Sequence, residues 1–288
     1  MSALVVIRFL HLTVVLLIFG ASVFRPLLLG EPRQQAIMRK WLDPFLCLLA
    51  GIGLITAVLW LVATAGDMAG SWEQGLNRVV LMKVLTQTLF GNVWIVHLGV
   101  SLILLMCLRL PVRLPTWLPI SLSAIQVATL APVGHASMLD GIGGQLLMFN
   151  QLVHLMCVAG WMGALMLLVF VQARPAGHDL RGTLLRFSGY GLVLVAGIII
   201  TGLINVRVLT GTLWPTPMTS GFALVLAIKA SLVACMLLLA LYNRAALNNQ
   251  RIALHTLRQT VLVEWLCGFA ALAAVSLLGT LAPVPLTL

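Results

Sequence analysis

Between residues 131 and 165 two histidines stand in strongly apolar sequence with little charge between them. His135 follows Pro132 and Gly134, and His154 sits within FNQLVHLMCVAGWMGAL (149–165). His11 and His97 occupy equally apolar runs elsewhere in the chain. An ionisable side chain inside a bilayer is costly to keep and marks a functional site by default. Imidazole is also the commonest protein metal ligand, suited to Cu, Zn, Fe and Ni. Sulfur lies close in sequence: Met138 is three residues beyond His135, and Cys157 three beyond His154. That spacing puts each pair on one helix face, and thioether or thiolate donors favour Cu(I). Metal or cofactor binding is therefore the chemistry expected of this cluster. Most of the 12 Met and 5 Cys nonetheless read as packing residues.

Such residues need a membrane scaffold, and the composition supplies one. The 288-residue chain is 61% hydrophobic and 8% charged, with mean hydropathy +1.10, which excludes a soluble globular domain. The N-terminal segment MSALVVIRFLHL lacks a basic leader region and a small-residue cleavage site, so it reads as a retained first helix. Cys47, Cys107, Cys157, Cys235 and Cys267 form no C-x-x-C and no disulfide framework. The net charge of +10 is the orientation signal of a membrane protein, not a nucleic-acid surface.

The expected fold is an all-α polytopic membrane protein, with eight transmembrane helices in one bundle spanning the whole chain, 1–288, as a single domain. The spans are read at roughly 3–29, 44–66, 92–110, 115–135, 145–173, 184–208, 220–243 and 259–282. Prolines punctuate them: Pro26, Pro44, Pro111, Pro115, Pro175, Pro215, Pro217 and Pro283 fall at or near their ends. A short amphipathic helix at roughly 74–90 lies in the interface. Odd-numbered connections carry twelve of the seventeen basic residues, which makes them cytoplasmic and puts both termini outside. Trp72, Trp94 and Trp214 at outer ends, and Trp41 and Trp117 at inner ends, read as interfacial belts. Small-residue clusters around Ala50-Gly51-Ile52-Gly53, Ala159-Gly160, Gly163-Ala164 and Gly189 with Gly191 allow helices to approach closely.

This topology places all four span histidines in the outer half of the membrane, with His11 and His154 each about 13 Å deep. His178 and His255 fall in basic loops and read as solvated. Pro132 frees a backbone carbonyl of the fourth span near His135, which suits a cavity. Gly141, Gly143 and Gly144 make the next loop permissive. Other embedded polar groups need partners. Arg8 shares a side of its helix with His11 and either snorkels outward or holds an anion. Lys229 sits near the middle of the seventh span. Glu264, inside the last span, has Asn243 and Arg244 as partners at similar depth, forming a latch or an inner gate.

These residues give the chain a likeness. Arg8-Phe9-Leu10-His11, LTQTLFGNVW (85–94), Gly134-His135-Ala136, His154 with Trp161-Met162-Gly163-Ala164-Leu165, GFALVLAIKA (221–230), Asn243-Arg244 and Glu264 recur in similar order and spacing in the copper resistance protein D (CopD) family. The chain resembles that family over nearly its whole length. The resemblance implies copper homeostasis at the bacterial inner membrane. Copper would move from periplasm to cytoplasm, with a small periplasmic copper-binding protein of the CopC type as partner and membrane lipids around the bundle. It assigns His11, His135 and His154 as metal ligands. His97, Met138 and Cys157 are added from this sequence alone, and Arg8, Lys229, Asn243, Arg244 and Glu264 are read as pathway or gating residues. Ala164 stands where the family motif has a second glycine, a small-for-small change.

Nothing in the chain indicates an enzyme, and there is no ATPase motif. The copper oxidation state is left open. The alternative from another class is a b-type haem electron carrier, with His11 and His154 as axial ligands and Arg8 at a propionate. A copper-binding membrane protein without transport is the third reading.

Overall fold

Gly20 and Gly163 set the tightest helix crossing in the molecule. A Cβ on Gly20 would fall on the Ala159 carbonyl and the Gly163 Cα, and one on Gly163 would fall on the backbone of Gly20 and Ala21. The first and seventh helices therefore meet backbone to backbone, as small-residue packing in membranes permits, and the other helices are arranged about them. The computed structural model describes residues 2–110, 114–134, 139–174, 179–215, 221–248 and 254–281.

Among the described residues ten helices follow in order: α1 Ser2–Leu28, α2 Pro32–Met68, α3 Trp72–Gly75, α4 Arg78–Gln87, α5 Leu89–Arg109, α6 Trp117–Leu130, α7 Gly141–Ala173, α8 Leu180–Thr210, α9 Gly221–Asn248 and α10 Leu254–Leu278. Among the described residues there is no strand. Seven of these helices are long and apolar enough to cross a membrane, and α6, with 14 residues, is a shorter apolar helix. The protein is thus an all-α, multi-pass membrane protein. One continuous apolar core joins α1, α2, α5, α6 and α7 to α8, α9 and α10.

Several boundaries differ from the sequence reading. The second span begins at Pro32, not 44. Pro32 occupies the first turn, where its missing N–H costs nothing, and Pro44 is accommodated inside the helix near its charged end. Arg25, at the end of α1, pairs with Asp43 there at 2.5 Å. The interfacial helix expected at 74–90 is two helices. Ser71 caps α3 and Asn77 caps α4. Thr88 then breaks the run in an extended conformation and caps α5 with its hydroxyl. The fifth span also starts early, at Gly141 (φ +71°), so Gly143 and Gly144 are helical, not loop, residues. His255 is exposed in the first turn of α10.

Candidate metal centre

The span histidines divide into a pair and a single residue. His11 of α1 and His97 of α5 are both fully buried, and their Nε2 atoms lie 3.0 Å apart. Each Nδ1 meets a threonine: His11 Nδ1 lies 3.0 Å from Thr56 Oγ1 of α2, and His97 Nδ1 lies 2.6 Å from Thr129 Oγ1 of α6. Both hydroxyls already donate to backbone carbonyls, Thr56 to Ile52 at 2.8 Å and Thr129 to Gln126 at 2.7 Å. A hydroxyl has one hydrogen to give, so each threonine accepts, and each imidazole donates from Nδ1. The two Nε2 lone pairs are thereby turned on one another. Two acceptors at 3.0 Å repel unless a cation, a proton or a metal ion, lies between them.

Aromatic rings wall this pair. Trp94 stacks on His97 with ring centroids 4.7 Å apart and planes 11° from parallel. Trp60 meets His11 edge-on at 5.4 Å, and Phe90 stacks on the other side of Trp94 at 4.9 Å. Trp94 is therefore no interfacial residue, as the sequence suggested. It is completely buried and donates from Nε1 to the Ala57 carbonyl at 2.9 Å. Below the pair, Ser101 donates to the His97 carbonyl at 2.7 Å and receives Gln126 Nε2 at 2.7 Å.

His154 of α7 belongs to a second polar group. It is 7% exposed, and its Nδ1 lies 2.8 Å from Thr201 Oγ1 of α8. That hydroxyl donates to the Gly197 carbonyl at 2.5 Å, so His154 also donates from Nδ1 and keeps a lone pair on Nε2. Asn150 and Gln151 continue the network to Asn205, each through an amide bond of 2.8 Å. Because α7 starts four residues early, His154 lies about 20 Å along its helix, not about 13 Å. His11 and His154 do not face each other as axial haem ligands would, since the Nε2 of His11 faces His97. Cys157 packs toward Gly197 on α8. His135 and Met138 lie outside the described residues. Among the described residues no three His, Cys, Asp or Glu side chains gather in one metal-holding group.

A cavity of about 250 Å³ opens beside His154. Arg8, Trp60, Gly134, Gln151, Asn205 and Lys229 contribute to its wall, and Leu130, Ala131 and Val133 border it where α6 ends. Arg8 reaches across to the residue that follows α10. Its guanidinium donates to the Gly279 carbonyl at 2.8 Å and lies over the Trp60 ring, 5.3 Å from the centroid. A smaller cavity of about 50 Å³ lies toward the other end of α7, lined by Asn243, Arg244 and Glu264. Glu264 is 1% exposed. Asn243 Nδ2 donates to it at 3.5 Å, whereas Arg244, its other expected partner, donates to the Ser188 carbonyl at 3.2 Å.

Among the described residues the structure joins two pairs that the sequence reading named, His11 with His97 and Asn243 with Glu264. Trp60, Thr56, Thr129 and Thr201 escaped it, and Trp94 was assigned to the interface. The one signal available was a lone threonine recurring in apolar runs at the depth of each histidine.

Comparison with known proteins agrees with this architecture. Residues 1–145 match the model of the copper resistance protein D-like N-terminal domain, and residues 181–278 match that of copper resistance protein D. The inner membrane protein YebZ of Escherichia coli (strain K12) is 30% identical, over 97% of this chain and 98% of its own length. Copper resistance protein D of Pseudomonas syringae pv. tomato is 27% identical, over 97% and 96%. Copper transport protein CutJ of Bacillus subtilis (strain 168) is 22% identical, over 93% of this chain and 51% of its own length. No solved structure matches. With both family models matched and a 30% identical relative spanning nearly the whole chain, the chain belongs to the copper resistance protein D family, a family of multi-pass inner-membrane proteins and not of enzymes.

Proposed function

We propose that this protein accepts copper from the periplasmic side and passes it inward, and that the His11–His97 pair is where Cu(I) is held. The observation that carries the reading is the Nε2–Nε2 approach of 3.0 Å, with each Nδ1 set against a threonine whose hydroxyl is placed to donate to its own helix. Metal–imidazole bonds are about 2 Å long. A linear two-coordinate ion therefore needs the nitrogens about 4 Å apart, an opening of about 1 Å from their present 3.0 Å. Cu(I) is a closed-shell d10 ion without a ligand-field preference and accepts so low a coordination number. The surrounding indole faces favour a cation and keep water away.

The charge bias of the connections supports an outside location for both termini, and so for the end of the bundle bearing α3 and α4. A CopC-type periplasmic protein is the proposed donor at that end. His135 and Met138, which follow Gly134 in sequence, are proposed as entry ligands ahead of the His11–His97 pair. Asn243, Arg244 and Glu264 mark the proposed inner exit.

The test is copper content and coordination of the purified protein loaded under reducing conditions. One Cu(I) per chain with two nitrogen neighbours by X-ray absorption is expected, lost in His11→Ala/His97→Ala. Full copper retention in that variant would overturn the assignment. Proteoliposome uptake by the wild type then separates a transporter from a protein that only binds.

A further inference from the structure

The chain has seven carboxylate side chains: Glu31, Asp43, Asp67, Glu73, Asp140, Asp179 and Glu264. None of them lines the cavity beside His154, yet Arg8 and Lys229 both do. Arg8 has one backbone acceptor, the Gly279 carbonyl, while its Nε is buried without a partner. Lys229 has no hydrogen bond or ion pair to any described residue, and it shares this cavity with His154. Two cations facing an apolar interior without a counter-charge are expensive. A bare metal cation there would add to the cost. The missing partner is an anion.

The remainder of the wall defines the rest of the ligand. It is dominated by aliphatic side chains, among them Leu12, Val195, Ile198, Leu226, Val233 and Leu272. Trp161, Val195 and Leu237 are shared with the smaller cavity, so the apolar lining continues along α7 beyond the cationic end. α8 and α9 supply much of it, and they pack on α7 and α10 more than on one another, which leaves a chain access between them. Finally, His154 lines the cavity, and with Nδ1 donating to the back-bonded Thr201 its Nε2 carries a lone pair. An oxyanion alone does not satisfy an acceptor. An oxyanion that carries a hydroxyl does.

We propose that this cavity binds an anionic amphiphile, an acyl or alkyl chain ending in a phosphate-type head group with a hydroxyl. Arg8 and Lys229 hold the oxyanion, His154 Nε2 accepts the hydroxyl hydrogen, and the chain lies between α8 and α9. A glycerol-headed phospholipid of the bilayer and a free alkyl phosphate offer the same chemistry.

The full-length protein in nanodiscs of mixed phosphatidylglycerol and phosphatidylcholine, released and weighed by native mass spectrometry, distinguishes these sources from chance adherence. One phosphatidylglycerol retained per chain is expected, preferred at least about tenfold, the range of a hydrogen bond to a charged group. The preference should vanish in Arg8→Gln/Lys229→Met. In neutral detergent, dodecyl phosphate should bind at least about tenfold more tightly than dodecanol and displace the retained lipid. Dodecyl phosphate binding without lipid retention identifies a free amphiphile as the ligand. Equal retention of both lipids together with equal binding of phosphate and alcohol overturns the proposal, as does a lipid preference that the double variant keeps. Should that variant fail to give monodisperse protein, the comparison of head groups on the wild type decides alone.

Discussion

Replacing Thr129 by valine tests the tautomer reasoning directly, because the two side chains are nearly isosteric and only the hydroxyl is lost. In the wild type His97 Nδ1–H donates to Thr129 Oγ1 at 2.6 Å, leaving Nε2 bare toward His11. Without that acceptor the proton is better placed on Nε2, where it donates to His11 Nε2 and joins the two rings by an ordinary hydrogen bond. The metal-free protein therefore loses little. Copper binding requires the proton to return to Nδ1, now a buried donor with no partner, at about 1–3 kcal/mol. Affinity for Cu(I) should fall about 5- to 150-fold, while thermal unfolding of the metal-free form shifts by only a few degrees. Thr129→Ser keeps the acceptor and should retain wild-type affinity. Competition against a chromophoric Cu(I) chelator in detergent gives the affinities. Unchanged copper binding in Thr129→Val would refute the fixed-lone-pair account, even if His97→Ala abolished binding.

Four further outcomes follow from named contacts. Gly20→Val puts a Cβ on the Ala159 carbonyl, and overpacking at this crossing should cost about 3 kcal/mol, read as a lower unfolding temperature; an unchanged temperature would mean α1 and α7 are further apart. Trp94→Phe keeps a ring beside His97 but removes the bond to the Ala57 carbonyl, so stability should drop by about 1 kcal/mol with copper stoichiometry unchanged. Asp43→Asn breaks the ion pair with Arg25, but with the carboxylate side chain 46% exposed the loss should not exceed about 1 kcal/mol. Arg8→Gln should tighten Cu(I) binding. The guanidinium lies 5.3 Å from the Trp60 centroid, and His11 lies 5.4 Å from it on centroids. The two distances put the guanidinium at most about 11 Å from His11, which at an effective dielectric of about 20 gives a repulsion of at least about 1.5 kcal/mol, or about tenfold in affinity; weaker binding would show that Arg8 supports the copper site.

Class was legible because it rests on composition and run length, which need no partner, and the eight expected spans correspond to seven long apolar helices and the shorter α6. Helix rotation was not legible. The spans are apolar nearly all round, so nothing in the pattern says which side of α1 faces α5 or that His11 meets His97. Pro44 was read as a terminator because it lacks an N–H. Pro32 had already satisfied that role at the helix start, and α2 runs through the second proline near its charged end. Trp94 looked interfacial because it stands near a span's end, yet the preceding helix α4 packs beside it and extends cover over that end. The threonines were invisible for a different reason. A threonine in an apolar run is unremarkable until its hydroxyl is seen bonded to its own helix, which leaves it an acceptor for whatever crosses from the next.

That device occurs three times, at Thr56, Thr129 and Thr201, and it answers one problem. A neutral imidazole buried in a bilayer protein must place one N–H and one lone pair. A back-bonded threonine takes the N–H within the protein and leaves the lone pair directed elsewhere. What the lone pair does then depends on what it faces. For His11 and His97 it faces another lone pair inside an aromatic enclosure, an arrangement completed by a small cation. For His154 the surroundings are a cavity already bearing two positive side chains, where a cation is repelled and a hydroxyl on an anion is accepted. The same threonine–histidine unit thus yields opposite charge preferences on the two sides of Trp60, because the neighbouring charges differ while the imidazole chemistry does not.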